Sequence, residues 1–489
     1  MAHTLRKVDK DFTFDEQRVE INELAVDVYN LKHNLDDITL NDIEDVVARA
    51  ALKKVYMGAK KASKISVEVI PEMIAELESK DKLNEINEEF SDNFEGFTDL
   101  DELVKNLSVP RTILLMVPSG EATREVIEKI SNSLEENDLV IDGGNSYYFD
   151  SEDNGEYLSD KSIDFIGMGV SGGEEGARKG PAIMVGYKTE ISNELKNTLS
   201  SIAAKAGKDC IGFYKGYGSG HFVKMVHNGI EYAEMQLIAE IYQLLKSSNK
   251  TNEEIANFFD GLNDENRSSY LIEITSQILR KKEDEVSVID KIKPVASNKG
   301  TGKLTVETSL NLKVPVPSIY AAYDARVQSN NKNEWATNTP NLEGLSEEDL
   351  SDCLYFGRVA SMIQGLELIK KYDSEINLGD VLNNWSGGCI IRSNLLSELN
   401  DINKTTKNLL GDKNLNSLFQ NNLSSTKKVL SKATVAEVAT PVLSASFNWY
   451  INLTTLNNPS NLIQAQRDYF GRHTVQFINS NEDVNIDWN

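Results

Sequence analysis

Cysteine is scarce in this chain. Cys210, Cys353 and Cys389 are the only three in 489 residues, and they lie far apart. An odd count at such spacing excludes a disulfide framework and fits a reducing compartment. Histidine is nearly as rare: none of the five shows a spacing that would ligate zinc or iron, so no metal is expected. Positive charge is in deficit, with 51 Lys and Arg against 76 Asp and Glu and a net charge of −25. That balance excludes a nucleic-acid partner, which needs a basic face. It also means that a phosphorylated small molecule would need cations gathered locally against a repulsive field. No apolar run approaches a membrane span, so no membrane partner is expected. The N-terminus carries no hydrophobic signal core, and its acids argue against a transit peptide, so a cytoplasmic location is expected.

What is present is an ordinary globular composition, 40% hydrophobic and 26% charged, with length enough for two or three domains. Residues 1–217 alternate short apolar strands with helical patterns, which predicts a parallel sheet in an α/β, Rossmann-like domain. Residues 112–117, 139–141 and 163–166 read as buried strands, each running into a turn rich in Gly, Ser or Pro. The acidic stretch 81–101 reads as surface helix and loop. Helical patterns dominate from residue 218 to 455, clearest at 253–258, 268–281 and 349–371, which predicts a large all-α domain. Residues 328–344 read as a connecting loop. Residues 456–489 form a C-terminal tail, and its polar end, 475–489, has no core of its own and is expected to lie on something else.

The most informative stretch is Gly220-His221-Phe222-Val223-Lys224-Met225-Val226-His227-Asn228-Gly229-Ile230-Glu231-Tyr232. As a helix it places Lys224, His227, Asn228 and Glu231 at i, i+3, i+4 and i+7, on one narrow face. Val223, Val226 and Ile230 line much of the opposite side. Most polar stripes are solvated surface. A surface stripe rarely mixes His and Asn with the charges, however, and the flanks here are unusually apolar. A lysine and a carboxylate two turns apart can serve one substrate as base and acid.

This run resembles the signature of 6-phosphogluconate dehydrogenases, and the resemblance extends in order from about Arg111 to the C-terminus. It is carried by Ile141-Asp142-Gly143-Gly144-Asn145-Ser146, Gly169-Val170-Ser171-Gly172-Gly173-Glu174-Glu175-Gly176, Asn298-Lys299-Gly300-Thr301-Gly302-Lys303, Gly387-Gly388-Cys389-Ile390-Ile391-Arg392 and Gln464-Ala465-Gln466-Arg467-Asp468-Tyr469-Phe470-Gly471. Lys303 stands where the family usually has Trp, and Ser386 where it usually has Arg. Between residues 326 and 385 the chain is shorter than the family pattern.

The resemblance implies oxidative decarboxylation of 6-phosphogluconate to ribulose 5-phosphate with NADP. Lys224 would be the general base and Glu231 the acid, with Asn145, His227 and Asn228 orienting hydroxyls and carboxylate. Ser171, Gly172 and Gly173 would lie near the carboxylate. Tyr232, Lys299, Thr301, Arg326, Arg467 and His473 would meet the phosphate. Arg467 and His473 belong to a segment that reaches the partner subunit in this family, which implies an intertwined dimer.

Two glycine patterns bear on the cofactor. Gly167-Met168-Gly169-Val170-Ser171-Gly172 satisfies G-x-G-x-x-G after a strand. Gly180-Pro181 follows too soon for the long helix such a fingerprint needs, so no dinucleotide is expected there. The family's own loop, Gly-Leu-Ala-Val-Met-Gly-x-Asn-Leu, aligns best with Glu23-Leu24-Ala25-Val26-Asp27-Val28-Tyr29-Asn30-Leu31, where Glu23 and Val28 replace the glycines. Charge repulsion and lost anion contacts there would each cost about 1–3 kcal/mol. Lys60 aligns with the arginine that reads the 2′-phosphate, residues 36–53 form an insertion, and Pro118 replaces a lysine. Two expectations follow: a dehydrogenase with impaired NADP binding, or a pseudoenzyme that serves as a phosphosugar-binding or regulatory subunit, in a homodimer or in a hetero-oligomer with an active paralogue.

Overall fold

The computed structural model describes residues 66–67, 97, 99–263, 267–297, 300–331, 338–406 and 408–488. The N-terminal part is built on a six-stranded sheet whose strands follow chain order: β1 (Ser66–Val67), β2 (Thr112–Leu115), β3 (Leu139–Asp142), β4 (Asp164–Ser171), β5 (Ala182–Tyr187) and β6 (Ile211–Lys215). Helices α1 (Leu100–Asn106), α2 (Glu121–Ser131), α3 (Tyr148–Ser159), α4 (Gly173–Lys179) and α5 (Asn193–Ile202) connect them. Neighbouring strands run parallel except β4 and β5, which pair antiparallel. This is a mixed sheet, where the sequence pattern suggested only parallel pairing. The reason is the brevity of α4: seven residues and the Gly180 turn at φ 123° return the chain beside β4 without a full crossover.

Both faces of the sheet are covered, which is why its strands read as continuous apolar runs. Ile113, Leu115, Val140 and Phe165 face one apolar cluster; Leu114, Met116, Ile141, Ile166 and Met168 face another, as the period of two requires.

From Ser219 the chain is helical: α6 (Ser219–Ser247), α7 (Asn252–Gly261), α8 (Tyr270–Arg280), α9 (Thr301–Leu312), α10 (Pro317–Ser329), α11 (Glu347–Tyr372), α12 (Leu378–Trp385), α13 (Asn394–Asn403), α14 (Lys413–Val435), α15 (Pro441–Thr454) and α16 (Ser460–Gly471). Starts follow local chemistry. Thr251 with Glu254 and Ser346 with Asp349 form capping boxes for α7 and α11, and proline opens α10 and α15. A two-stranded hairpin at residues 282–287 interrupts the helical run.

Helix α6 is the spine. Strands β4 and β5 lie against it, as do α9, α10 and α11. It is therefore buried nearly all round, and Lys224, His227 and Asn228 of the polar stripe read from the sequence are buried with it. On α6, Glu234 faces Arg358 of α11 at 3.5 Å with both side chains out of solvent.

The C-terminal segment, residues 456–489, follows α15. The tail curls back on α16, because the buried Asp468 carboxylate accepts the backbone N–H groups of Thr474 and Ile486 and the Trp488 indole N–H. Leu456, Leu462, Ile463, Tyr469, Phe470, Phe477 and Ile478 along this segment are all exposed in the single chain. Among the described residues, no helix is long and apolar enough to cross a membrane.

Candidate active site

The site begins where α6 crosses β4. Three glycines of β4 and its following turn are shaped by neighbours, not by a dinucleotide. A Cβ on Gly167 would stand 3.0 Å from His221 Nδ1, and one on Gly169 would stand 2.5 Å from Lys224 Cβ. A Cβ on Gly172 would fall 2.3 Å from the Gly388 carbonyl oxygen. The G-x-G-x-x-G match thus reports close helix-on-strand packing, with α6 and the turn before Cys389 needing bare backbone to approach.

Lys224, His227, Asn228 and Glu231 form one connected group on α6. The Lys224 ammonium nitrogen donates to Asn228 Oδ1 at 2.7 Å. His227 Nδ1 lies 3.1 Å from the same oxygen, and His227 Nε2 lies 3.2 Å from Ser171 Oγ. An amide oxygen only accepts, so Nδ1 carries the proton and the Ser171 hydroxyl donates to Nε2. Glu231 Oε2 stands 3.8 Å from His227 Nδ1. Lys224 and Asn228 are almost wholly buried and His227 is fully so, whereas the Glu231 side chain keeps 21% of its surface.

Burial sets the proton affinities. It lowers the Lys224 pKa, with Glu231 acting in the opposite sense, and it lowers that of His227 further below the usual range. For Glu231, desolvation raises the pKa, against the nearby Lys224 and Arg326 charges. A lysine pushed toward neutral and a carboxyl pushed toward protonated make a base and an acid on one helix face.

One turn further, the Arg326 guanidinium stacks 3.5 Å above the Tyr232 ring, and α9 comes close enough that a Cβ on Gly302 would meet the same ring at 2.6 Å. Desolvation lowers the Arg326 pKa, so its charge is held in a partly dry setting beside Glu231. Thr301, at the start of α9, is half-buried. Asn145 is exposed on the turn after β3, and Gly173 is exposed at the start of α4, while Ser171 and Gly172 are buried.

The residues named from the sequence therefore divide. Lys224, His227, Asn228 and Glu231 meet directly, Ser171 joins them through His227, and Tyr232 with Arg326 continues the same face. Arg467 and His473 are exposed on the C-terminal hook, where Arg467 donates to Gln464 Oε1 at 3.1 Å. Lys299 lies outside the described residues, as do Glu23, Val28, Lys60 and the insertion at 36–53. Sequence reasoning passed over two neighbours. His221, three residues before Lys224 and so on its face, is wholly buried, and the Trp385 ring meets that of His227 in a T-shaped arrangement with centroids 5.8 Å apart. The i, i+3 spacing was a legible signal for the first; nothing local marked the second.

A dinucleotide in a doubly wound sheet rests at the carboxyl edge of the strands. The described turns there, residues 116–120 and 143–147, contain no Lys or Arg, and Pro118 offers no N–H. Residues 23–31, aligned with the family's own dinucleotide loop, lie outside the described residues.

Comparison with known proteins gives the lineage. Residues 56–215 match the NAD binding domain of 6-phosphogluconate dehydrogenase, and residues 220–488 match the 6-phosphogluconate dehydrogenase C-terminal domain. Glu23 and Val28 precede both matches. The decarboxylating 6-phosphogluconate dehydrogenase of Lactococcus lactis is 38% identical over 412 residues, 80% of this chain and 87% of that protein. Its counterpart from Ceratitis capitata is 38% identical over 81% of this chain and 87% of its own length. The Plasmodium falciparum 6-phosphogluconate dehydrogenase, solved in its apo form and with its cofactor NADP+ and its substrate 6-phosphogluconate, superposes with a TM-score of 0.75 at 35% identity, covering 80% of this chain and 88% of that one.

Proposed function

The chain belongs to the 6-phosphogluconate dehydrogenase family, and we propose that it binds 6-phosphogluconate and carries out its oxidative decarboxylation to ribulose 5-phosphate, a pentose phosphate pathway step. The observation that carries this reading is the buried Lys224 and half-exposed Glu231 on one face of α6, their proton affinities displaced in opposite directions. NADP is the family's cofactor and supplies the hydride acceptor when bound.

The chain's own residues handle protons and orientation. Neutral Lys224 takes the proton of the C3 hydroxyl as that carbon is oxidised. The resulting β-keto acid loses carbon dioxide, and the lysine, now protonated, returns a proton to the developing enolate oxygen. Glu231 in its protonated form delivers a proton to C1 of the enediol. Asn145, His227 and Asn228 orient hydroxyls and carboxylate, and Ser171 with the Gly172 and Gly173 backbone sits by the carboxylate. Tyr232, Lys299, Thr301 and Arg326 take the phosphate, a charge-assisted arrangement that needs its cations because the chain as a whole is acidic.

Arg467 and His473 complete the phosphate pocket of a second copy. The exposed apolar side chains along residues 456–478 support this, since a surface of that kind on one chain is ordinarily covered. The reading takes residues 1–217, 218–455 and 456–489 as sheet domain, helical domain and intersubunit tail of a cytoplasmic homodimer.

A second reading rests on the lack of Lys and Arg in residues 116–120 and 143–147 at the sheet's carboxyl edge: a subunit that binds phosphosugar acid without turnover and lends Arg467 and His473 to an active paralogue. Titration calorimetry separates the two. Binding of 6-phosphogluconate together with NADPH formation supports the first, and binding without NADPH formation at saturating NADP supports the second. No binding of 6-phosphogluconate rejects both.

A further inference from the structure

His221 takes no part in the proton chemistry, yet it is buried beside it with both ring nitrogens hydrogen-bonded. The ring is 1% exposed and sits in the first turn of α6. Its Nε2 lies 3.1 Å from the Gly144 carbonyl oxygen, and its Nδ1 lies 2.7 Å from Ser151 Oγ on α3. The carbonyl can only accept, so Nε2 carries the proton, Nδ1 is bare, and the Ser151 hydroxyl donates to it. Burial lowers the ring's pKa, although the buried Asp142 and hydrogen bonds to the Gly144 and Met168 backbone act the other way.

The Gly144 end of this bridge is equally fixed. Its N–H donates to Asp142 Oδ1 at 3.0 Å, and a Cβ there would stand 2.9 Å from the Val117 carbonyl oxygen. Gly144 is thus held by its N–H on one side and its carbonyl on the other, and Asn145 is the next residue. At the helix end, His221 and Lys224 share a face, and Gly167 and Gly169 of β4 make room for them in turn.

We propose that His221 is a positioning residue: its hydrogen bond to the Gly144 carbonyl holds Asn145 in register with Lys224, one turn along α6, so that both address one bound substrate. The inference rests on the assignment of 6-phosphogluconate to this site. The physical logic is that of a second layer around a reacting group, where fixing one backbone turn removes the freedom that would otherwise be lost on binding.

A double-mutant cycle on substrate affinity tests it, read by calorimetry with 6-phosphogluconate alone so that cofactor binding does not enter. His221→Leu keeps bulk but removes the donor, and it should weaken binding about tenfold, the scale of one lost hydrogen bond. His221→Gln can place an amide N–H near the Nε2 position and should recover most of that loss. On an Asn145→Ala background, His221→Leu should cost less than twofold, because the residue it positions is gone. A purely structural role gives equal losses on both backgrounds, and that result overturns the proposal. If His221→Leu does not fold, Ser151→Ala takes its place: it removes the hydroxyl that holds Nδ1 and should show a smaller loss, again absorbed by Asn145→Ala. An additive Ser151→Ala effect likewise overturns it. Wild-type protein that binds no 6-phosphogluconate fails the functional assignment itself, a different result from wild-type binding with an additive cycle.

Discussion

Lys224 and Glu231 stand two turns apart on one face of α6, and desolvation drives their proton affinities toward each other, the lysine down and the carboxyl up. Each would be a fully charged surface group in water. Enclosed between β4, α9 and α10, each is moved toward the neutral form that acid–base work requires.

The pH dependence of turnover follows from those directions. Activity should rise with pH as Lys224 loses its proton and fall again as Glu231 loses its own, giving a bell. Glu231→Gln should lower kcat by about 10²–10⁴-fold and remove the alkaline limb, with 6-phosphogluconate affinity little changed. A pH–rate series on both proteins checks this, and an alkaline limb that survives in Glu231→Gln assigns it to another group.

Gly169→Ala should damage the protein where the false dinucleotide fingerprint sits. The added methyl meets Lys224 Cβ at 2.5 Å, in a strand covered on both sides. Overpacking of this kind costs about 1–3 kcal/mol, and it should lower kcat as well by displacing Lys224. Urea unfolding measures the first effect and steady-state kinetics the second.

Arg467→Ala should weaken 6-phosphogluconate binding by about 1–3 kcal/mol if the tail enters a second copy's phosphate pocket. Within one chain this arginine is exposed and hydrogen-bonds Gln464, so a monomer should not register the change. Light scattering should give twice the 54.5 kDa chain mass. A monomer, or unchanged affinity in the variant, contradicts the shared pocket.

Glu240 offers a test of stability. Its buried carboxylate accepts the backbone N–H groups of Val442 at 2.8 Å and Leu443 at 3.0 Å, at the start of α15. Desolvation nonetheless dominates and raises its pKa to about 7. The folded state then holds a proton that the unfolded chain, with a glutamate pKa near 4.3, releases. Between those values stability falls as pH rises, by at most about 1.4 kcal/mol per pH unit from this group. Thermal unfolding from pH 5 to 8 should therefore show a steeper decline for wild type than for Glu240→Gln; parallel curves would mean that Glu240 is ionised throughout.

Much of the site was legible because helical spacing is local. Lys224, His227, Asn228 and Glu231 fall on one face by arithmetic alone, and the apolar runs at 112–117 and 139–141 declared buried strands. The family resemblance added Ser171, Tyr232 and Arg326, whose meeting with that face no local pattern contained. The antiparallel turn of β5 escaped because Ala182–Tyr187 is as apolar as its parallel neighbours; only the shortness of α4 decides its direction.

By itself the sequence determined the order of elements and the helical face that carries Lys224, His227, Asn228 and Glu231. These depend on residue identity and spacing, which local geometry converts directly into position. Tertiary structure alone decided that most of the polar stripe is buried, and hence that lysine and carboxyl leave their ordinary proton affinities. It also decided that the glycines of β4 serve a helix instead of a dinucleotide, and that His221 ties the Asn145 turn to Lys224. Those outcomes depend on what lies across a gap of a few ångströms, where desolvation and steric contact act and sequence distance carries no information.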